Sequence, residues 1–193
     1  EALKANTTAA DNTAVGYRSM LATTTGFGNV AIGCGALDTN TTGEVNVAIG
    51  CRSMDANTSG NCNTFVGKDA GLSNTTGFRN SGFGIKAGEN VTTGDCNVFL
   101  GFESGAQGGM INITSEDNRF VAGHNGITNS YVKVDWTVTS DLRDKTNFGT
   151  IPHGLDFVNQ LNPVSFQFRT ARGKDTTSGG VRYGFKAQDI LAL

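Results

Sequence analysis

The run S-D-L-R-D-K at 140–145 sets a serine among charged residues, a combination that can do covalent chemistry. It holds Ser140, Asp141, Arg143 and Lys145. A serine hydroxyl is a weak nucleophile unless a base takes its proton, and a lysine can be that base where burial lets its neutral amine exist. Lys145 stands five residues after Ser140, a spacing that a tight turn can close. Taken alone, the run reads better as a charged loop opening a domain, with Asp141 and Arg143 in a salt-bridged turn.

The other chemistry-bearing residues read as structural. Cys34 and Cys51 fall seventeen residues apart, and Cys62 and Cys96 fall two such steps apart, with no C-x2-C pair among them. That spacing predicts free thiols stacked in a repeat, not a disulfide framework or a zinc site. His124 sits in the turn G-H-N-G with no second histidine or carboxylate pair nearby, and reads as a loop residue. No paired carboxylates stand at a glycosidase spacing, and the calcium-binding G-G-x-G-x-D nonapeptide is missing. No metal or cofactor is expected. Charge excludes more: 15 basic against 17 acidic residues, with no basic run, leave no footprint for nucleic acid. No apolar stretch approaches the roughly 20 residues that cross a bilayer.

These residues hang on a repeat. Asn recurs at 12, 29, 46, 63, 80 and 97, and Gly at 16, 33, 50, 67, 84 and 101, a gapless period of seventeen. The unit is N-x-A-V/I-G-x-x-A/S-L/M-x-x-N-T-T-G-x-x. An unbroken period of this length is the mark of a stacked, one-dimensional architecture. N-V-A-I-G suits a strand of four or five residues and T-T-G a turn with glycine at positive φ. Each strand then buries its apolar side by stacking on the next copy, about 4.7 Å away. The Asn and Thr ladders read as turn residues satisfying backbone groups, which leaves the N-x-T/S sequons such as Asn40–Thr42 a weak sign of glycosylation. The adjacent Thr pairs do not make the flat T-x-T array of an ice-binding face. The small column (Ala14, Ala31, Ala48) faces away from the branched one (Val15, Ile32, Ile49). A rung this small cannot hide two apolar faces, so three chains around an axis are expected to cover the second. Phe65 and Phe99 replace Ala, and Gly71, Gly88 and Gly105 replace Leu or Met, which predicts a changed cross-section.

The period breaks near residue 106. Strands are expected at 111–114, 119–122 and 131–134, with Trp136 as a packing anchor. Beyond it, Pro152 suits the first turn of a helix over 153–161, a strand follows at 164–169, its partner at 181–187, and a second helix starts near 187. The chain opens inside a partial repeat, since Ala2-Leu3 match Ala36-Leu37, and ends in an apolar run; it reads as a fragment. The expected organisation is a β-repeat stack over 1–109, a β connector over 110–138 and a small α+β domain over 139–193. The fold class is mainly β, a β-solenoid or β-roll with that small domain attached.

Two resemblances add to this. The N-x-A-I-G repeats resemble the heads of trimeric autotransporter adhesins and the repeat regions of bacteriophage tail fibres, which implies a trimeric stack used for adhesion or spacing. W-x-x-x-S-D-x-R-x-K-x-N at 136–147, L-N-P-V-S-F at 161–166 and G-F-x-A-Q-D at 184–189 resemble the C-terminal intramolecular chaperone of endosialidases and other phage tail spikes. That resemblance implies a domain that drives trimerisation and folding, then cuts itself free. The family's nucleophile and base fall on Ser140 and Lys145, its scissile bond falls on Thr139-Ser140, and Asp141 and Arg143 become candidate supporting residues. The family's domain continues past A-Q-D into further helices, so it is C-terminally incomplete here. The implied enzyme is at most a single-turnover serine peptidase, without glycosidase activity. The implied location is the virion, the partners further copies of the chain and a host-surface glycan or protein receptor. The alternative is a trimeric adhesin on a bacterial cell surface with a non-cleaving trimerisation domain.

Overall fold

The computed structural model describes residues 1–131, 160–169 and 177–184, and the chain divides into two units, Glu1–Ile127 and Thr128–Leu193. The first is a mainly β solenoid. Its strands are β1 (Thr13–Val15), β2 (Val30–Ile32), β3 (Val47–Ile49), β4 (Thr64–Val66), β5 (Ser81–Phe83), β6 (Val98–Leu100) and β7 (Phe120–Ala122). They form one sheet in sequence order. Every pairing is parallel and in register, Ala14 on Ala31, Ala31 on Ala48 and Ala48 on Phe65.

Each strand has only three residues, shorter than the repeat suggested, because a glycine ends it. Gly33, Gly50, Gly67 and Gly84 hold φ between +132° and +145°, a region closed to residues with a Cβ. The next rung's carbonyl also lies where a Cβ would go, 2.4 Å away at Gly50.

The strand's middle residue points inward. Ala31, Ala48, Phe65 and Phe99 are fully buried in a core shared with Met20, Leu37, Met54, Val91 and Ile113. The Val/Ile column points out: Val15 is 56% exposed, Ile32 38%, Phe83 46% and Leu100 38%. Alternation along the strand thus splits the apolar residues between a closed interior and an open sheet face.

The polar ladders close the corners. The side-chain oxygen of Asn29 accepts the backbone N–H of Asn46 at 2.9 Å, and the same bond repeats at Asn46–Asn63, Asn63–Asn80 and Asn80–Asn97. Asn29, Asn46, Asn63 and Asn80 also donate their amides to turn glycine carbonyls, as Asn46 does to Gly60 at 2.8 Å, and Asn97 donates to the carbonyl of Glu116. Asn40, Asn57 and Asn74 form a second buried ladder. Thr24, Thr41, Thr58, Thr75 and Thr92 each donate a hydroxyl to the backbone carbonyl one rung on. Backbone groups that leave the strands are thereby paired from rung to rung, as buried groups must be.

The change of cross-section is an exchange of volume. Where the strand centre is Ala, the residue six further on is large: Met20, Leu37, Met54. Where it is Phe, that residue is Gly71 or Gly105, and a Cβ there would sit 2.7 Å from Phe65 or 2.4 Å from Phe99. The rung between has glycine at both places, Gly82 and Gly88, and its space is filled from either side by the two rings. Their centroids lie 6.4 Å apart.

The period, expected to break near residue 106, instead lengthens once. β7 continues the sheet with Val121 on Phe99, and ladder bonds that step by 17 elsewhere step by 22 here, as at Thr92–Thr114. The expected strand at 111–114 is not one. Ile113 instead takes the buried core place held by Val91 one rung earlier. The extra residues leave between Glu103 and Ile113, outside the sheet, so neither ladder nor core is interrupted.

In the second unit β8 (Val164–Arg169) pairs antiparallel with β9 (Thr177–Gly184). The partner strand begins earlier than the expected 181 because an irregularity between Phe166 and Phe168 lets Arg169 reach Thr177. It has one residue on β8 facing three on β9, and glycines 179 and 180 suit such a bulge. Gln160 is helical; the rest of the helix expected at 153–161 lies outside the described residues except for Leu161. The helix expected from 187, the strand at 131–134 beyond Tyr131, and Trp136 lie outside them too.

Candidate functional site

Thr139, Ser140, Asp141, Arg143 and Lys145 all lie outside the described residues, so no geometry is assigned to the Ser140–Lys145 pair. What is described beside them in sequence is the β8–β9 hairpin. It places Val164 opposite Gly184 and Ser165 opposite Tyr183. V-S-F of the motif at 161–166 is thereby set against the residues that lead into the motif at 184–189. Gly184, the first residue of the motif at 184–189, is thus paired with Val164 of the motif at 161–166, although twenty residues separate them in sequence; the rest of the later motif lies outside the described residues.

In the solenoid, charge is spent on holding rungs together. Arg18 pairs with Asp38 at 2.6 Å. Asp69, its side chain almost fully buried, takes Arg52 on one oxygen at 2.7 Å and Lys68 on the other. Burial pushes the Asp69 carboxyl up, but its bonds to Lys68 and Arg52 outweigh this and hold it below the usual carboxylate range. Asp55 is the opposite case. Burial, then repulsion from Asp38 one rung away, raises its pKa. Arg18–Asp38 and Arg52–Asp69 are inter-rung pairs, and none of these groups forms an acid–base constellation. Among the described residues no group of three His, Cys, Asp or Glu side chains is placed to hold a metal, and no helix is long and apolar enough to cross a membrane.

The remaining candidates fall where the repeat puts them. All four cysteines are free thiols, at the surface or half-buried. Of the sequons, Asn40, Asn57 and Asn74 are fully buried and committed to their ladder, which removes them as glycan acceptors. His124 is held by more than a loop. Its Nε2 lies 3.2 Å from Glu103 and its ring 5.3 Å from that of Phe102. The sequence signal for this pairing was the stretched period, since a step of 22 sets His124 on Phe102, with Glu103 the next residue along.

One feature of functional weight that the sequence left undecided is the outer sheet face. Val15, Ile32, Ile49, Val66, Phe83 and Leu100 run along it one per rung, flanked by Val30, Val47 and Val98. A continuous apolar file on a solenoid is larger than what scattered surface residues produce.

Residues 140–193 match the model of the family described as chaperone of endosialidase. The match spans under a third of the chain and begins at the serine singled out above. No curated protein matches, and no solved structure does. The chain is therefore a seventeen-residue-repeat β-solenoid followed by a segment similar to the chaperone of endosialidase.

Proposed function

We propose that the chain is a structural segment of a trimeric bacteriophage tail fibre or spike used for host attachment. Its C-terminal part promotes trimerisation and then leaves by cutting the Thr139-Ser140 bond. The observation that carries the reading is the outward Val/Ile/Phe file, supported by the family match at 140–193. One solenoid leaves that file wet; three, packed face to axis, cover it. At about 25 cal/mol per Å² of apolar surface removed from water, covering a file that runs the length of the stack favours association. Bringing three separate chains together is a concentration-dependent assembly step, which is where a folding domain helps.

In the proposed cleavage, Lys145 takes the Ser140 proton as the hydroxyl attacks the Thr139 carbonyl. The Thr139-Ser140 C–N bond breaks as Lys145 returns that proton to the freed Ser140 amine, and water hydrolyses the resulting ester, leaving Thr139 as a carboxylic acid and restoring the hydroxyl. Asp141 and Arg143 would order the turn between them. Release of the helper leaves an assembly whose durability is set by its unfolding rate, which suits a fibre exposed on a virion. The site then acts at most once per chain and on no external substrate. The outward partners are two further copies and a glycan or protein receptor on the host surface.

Electrophoresis of freshly expressed wild type beside Ser140→Ala tests the reading. A wild-type band shortened by the segment after Thr139, and restored to full length in the variant, supports it. Identical full-length bands would overturn the cleavage step and favour a cell-surface adhesin with a non-cleaving trimerisation module.

A further inference from the structure

The last rung closes in a turn that carries the one Asn-Gly dipeptide of the sequence, Asn125-Gly126. Four contacts set its geometry. The N–H of Gly126 donates to Nδ1 of His124 at 3.0 Å. Nε2 of His124 lies 3.2 Å from a carboxylate oxygen of Glu103. The side-chain amide of Asn125 donates to the carbonyl of Gly108 at 3.0 Å. The N–H of Ile127 donates to the carbonyl of His124 at 2.9 Å and pins the turn. Because Nδ1 accepts a backbone N–H, it carries the lone pair and Nε2 carries the proton, directed at Glu103.

A base is thus hydrogen-bonded to the one backbone nitrogen in the chain that lies next to an asparagine and has no side chain to shield it. We propose that Asn125 is a self-deamidation site with His124 as its general base. His124 takes the Gly126 N–H proton as that nitrogen attacks Cγ of Asn125. A C–N bond forms, closing a five-membered succinimide, and the bond from Cγ to the amide nitrogen breaks. Ammonia leaves with the proton that His124 returns. Water then opens the ring at either carbonyl, giving aspartate or isoaspartate, so the sum is amide plus water to acid plus ammonia. Glu103, the charged group facing the ring, steadies the imidazolium formed on the way. The Gly108 carbonyl holds the leaving amide in one rotamer. Asn125 and Gly126 are exposed, so water reaches the ring.

The product lacks the amide donor that ties this turn to Gly108 in the inserted stretch, and adds a negative charge near Glu103. Isoaspartate also adds a main-chain carbon to the turn. The end of the stack is therefore altered irreversibly with age, at a rate the fold itself sets.

The test incubates the full chain near neutral pH and follows the peptide containing Asn125 by mass spectrometry, with aspartate and isoaspartate forms separated by chromatography. Conversion is expected in the wild type, and about a hundredfold slower in His124→Phe, which keeps a ring against Phe102 but removes the base. The wild-type rate should rise less steeply with pH than hydroxide concentration does. Equal rates in the two proteins, or a wild-type rate that keeps climbing about tenfold per pH unit as hydroxide catalysis does, would overturn it. So would an intact Asn125 in the folded chain after the urea-unfolded chain has converted.

Discussion

Phe65 and Gly71 should behave as one unit in a double-mutant cycle. Phe65 is fully buried, and around its ring the chain has glycine at 71, 82 and 88, where a Cβ would stand 2.7, 2.4 and 3.0 Å from ring atoms. Phe65→Ala therefore opens a void with no side chain at those three positions to fill it, and the cost belongs within the Phe→Ala range, about 4 kcal/mol. Gly71→Met alone drives a side chain into the ring and costs about 2 kcal/mol or more. If the two effects were independent, the double variant would lose about 6 kcal/mol. Together, however, they rebuild the Ala48/Met54 arrangement, in which the methionine already tolerates φ of 52°, close to the 59° of Gly71. The double variant is expected to lose only about 3 kcal/mol, because the space over Gly82 stays empty, giving a coupling of about 3 kcal/mol. Urea unfolding followed by far-UV circular dichroism, at one fixed protein concentration, measures all three. Additivity within about 0.5 kcal/mol would refute the exchange of volume between strand centre and corner.

Other expectations follow from the ladders, the strand-ending glycines, the carboxylates and the outer face. Asn46→Ala leaves the buried N–H of Asn63 without its acceptor and should cost about 2–3 kcal/mol; Asn61→Ala, whose oxygen accepts from Glu44 at an exposed turn, should cost under about 1 kcal/mol in the same unfolding experiment. Gly50→Ala meets both a φ of +132° and the Gly67 carbonyl at 2.4 Å, and a loss of at least about 2 kcal/mol is expected. The raised pKa of Asp55 means that its protonated form favours the fold, so its contribution is full below the unfolded pKa of 3.8 and is lost as pH rises through the folded value. Asp55→Asn should therefore melt above wild type at pH 7 and converge with it in acid. Asp69 has the reverse sign: its lowered pKa gives stability above 3.8 that disappears as pH falls through the folded value. Asp69→Asn should melt lower at neutral pH, with the gap closing in strong acid. Ile49→Lys places a charge on the outer file and should give monomers with an unchanged circular dichroism spectrum.

Most of the solenoid could be read from spacing. Asn, Gly and Thr at a gapless step place the corners, and V-A-I between them places the strand. Which side of that strand is interior could not, because Ala and Ile are both apolar and alternation is symmetric between faces. The glycine six residues on from each Phe decides it, since only a ring pointing inward needs that space. The seventh rung was hidden because an insertion that leaves the sheet moves every later residue out of phase. F-V-A at 120–122, following T-S at 114–115, is the repeat displaced by five. For the Ser140 site, legibility came from motif order along the chain, and the hairpin pairs Val164 of one motif with Gly184, the first residue of another. The pairing of His124 with Glu103 needs the stretched step and was out of reach of the period alone.

The central claim is that the outer apolar file is covered by two further copies of the chain. Light scattering coupled to size exclusion, on the Ser140→Ala chain so that its length is uniform, measures it directly. A mass of three times the 20.1 kDa chain is predicted. A particle with the mass of one chain, still giving the β spectrum of the folded stack, would contradict it.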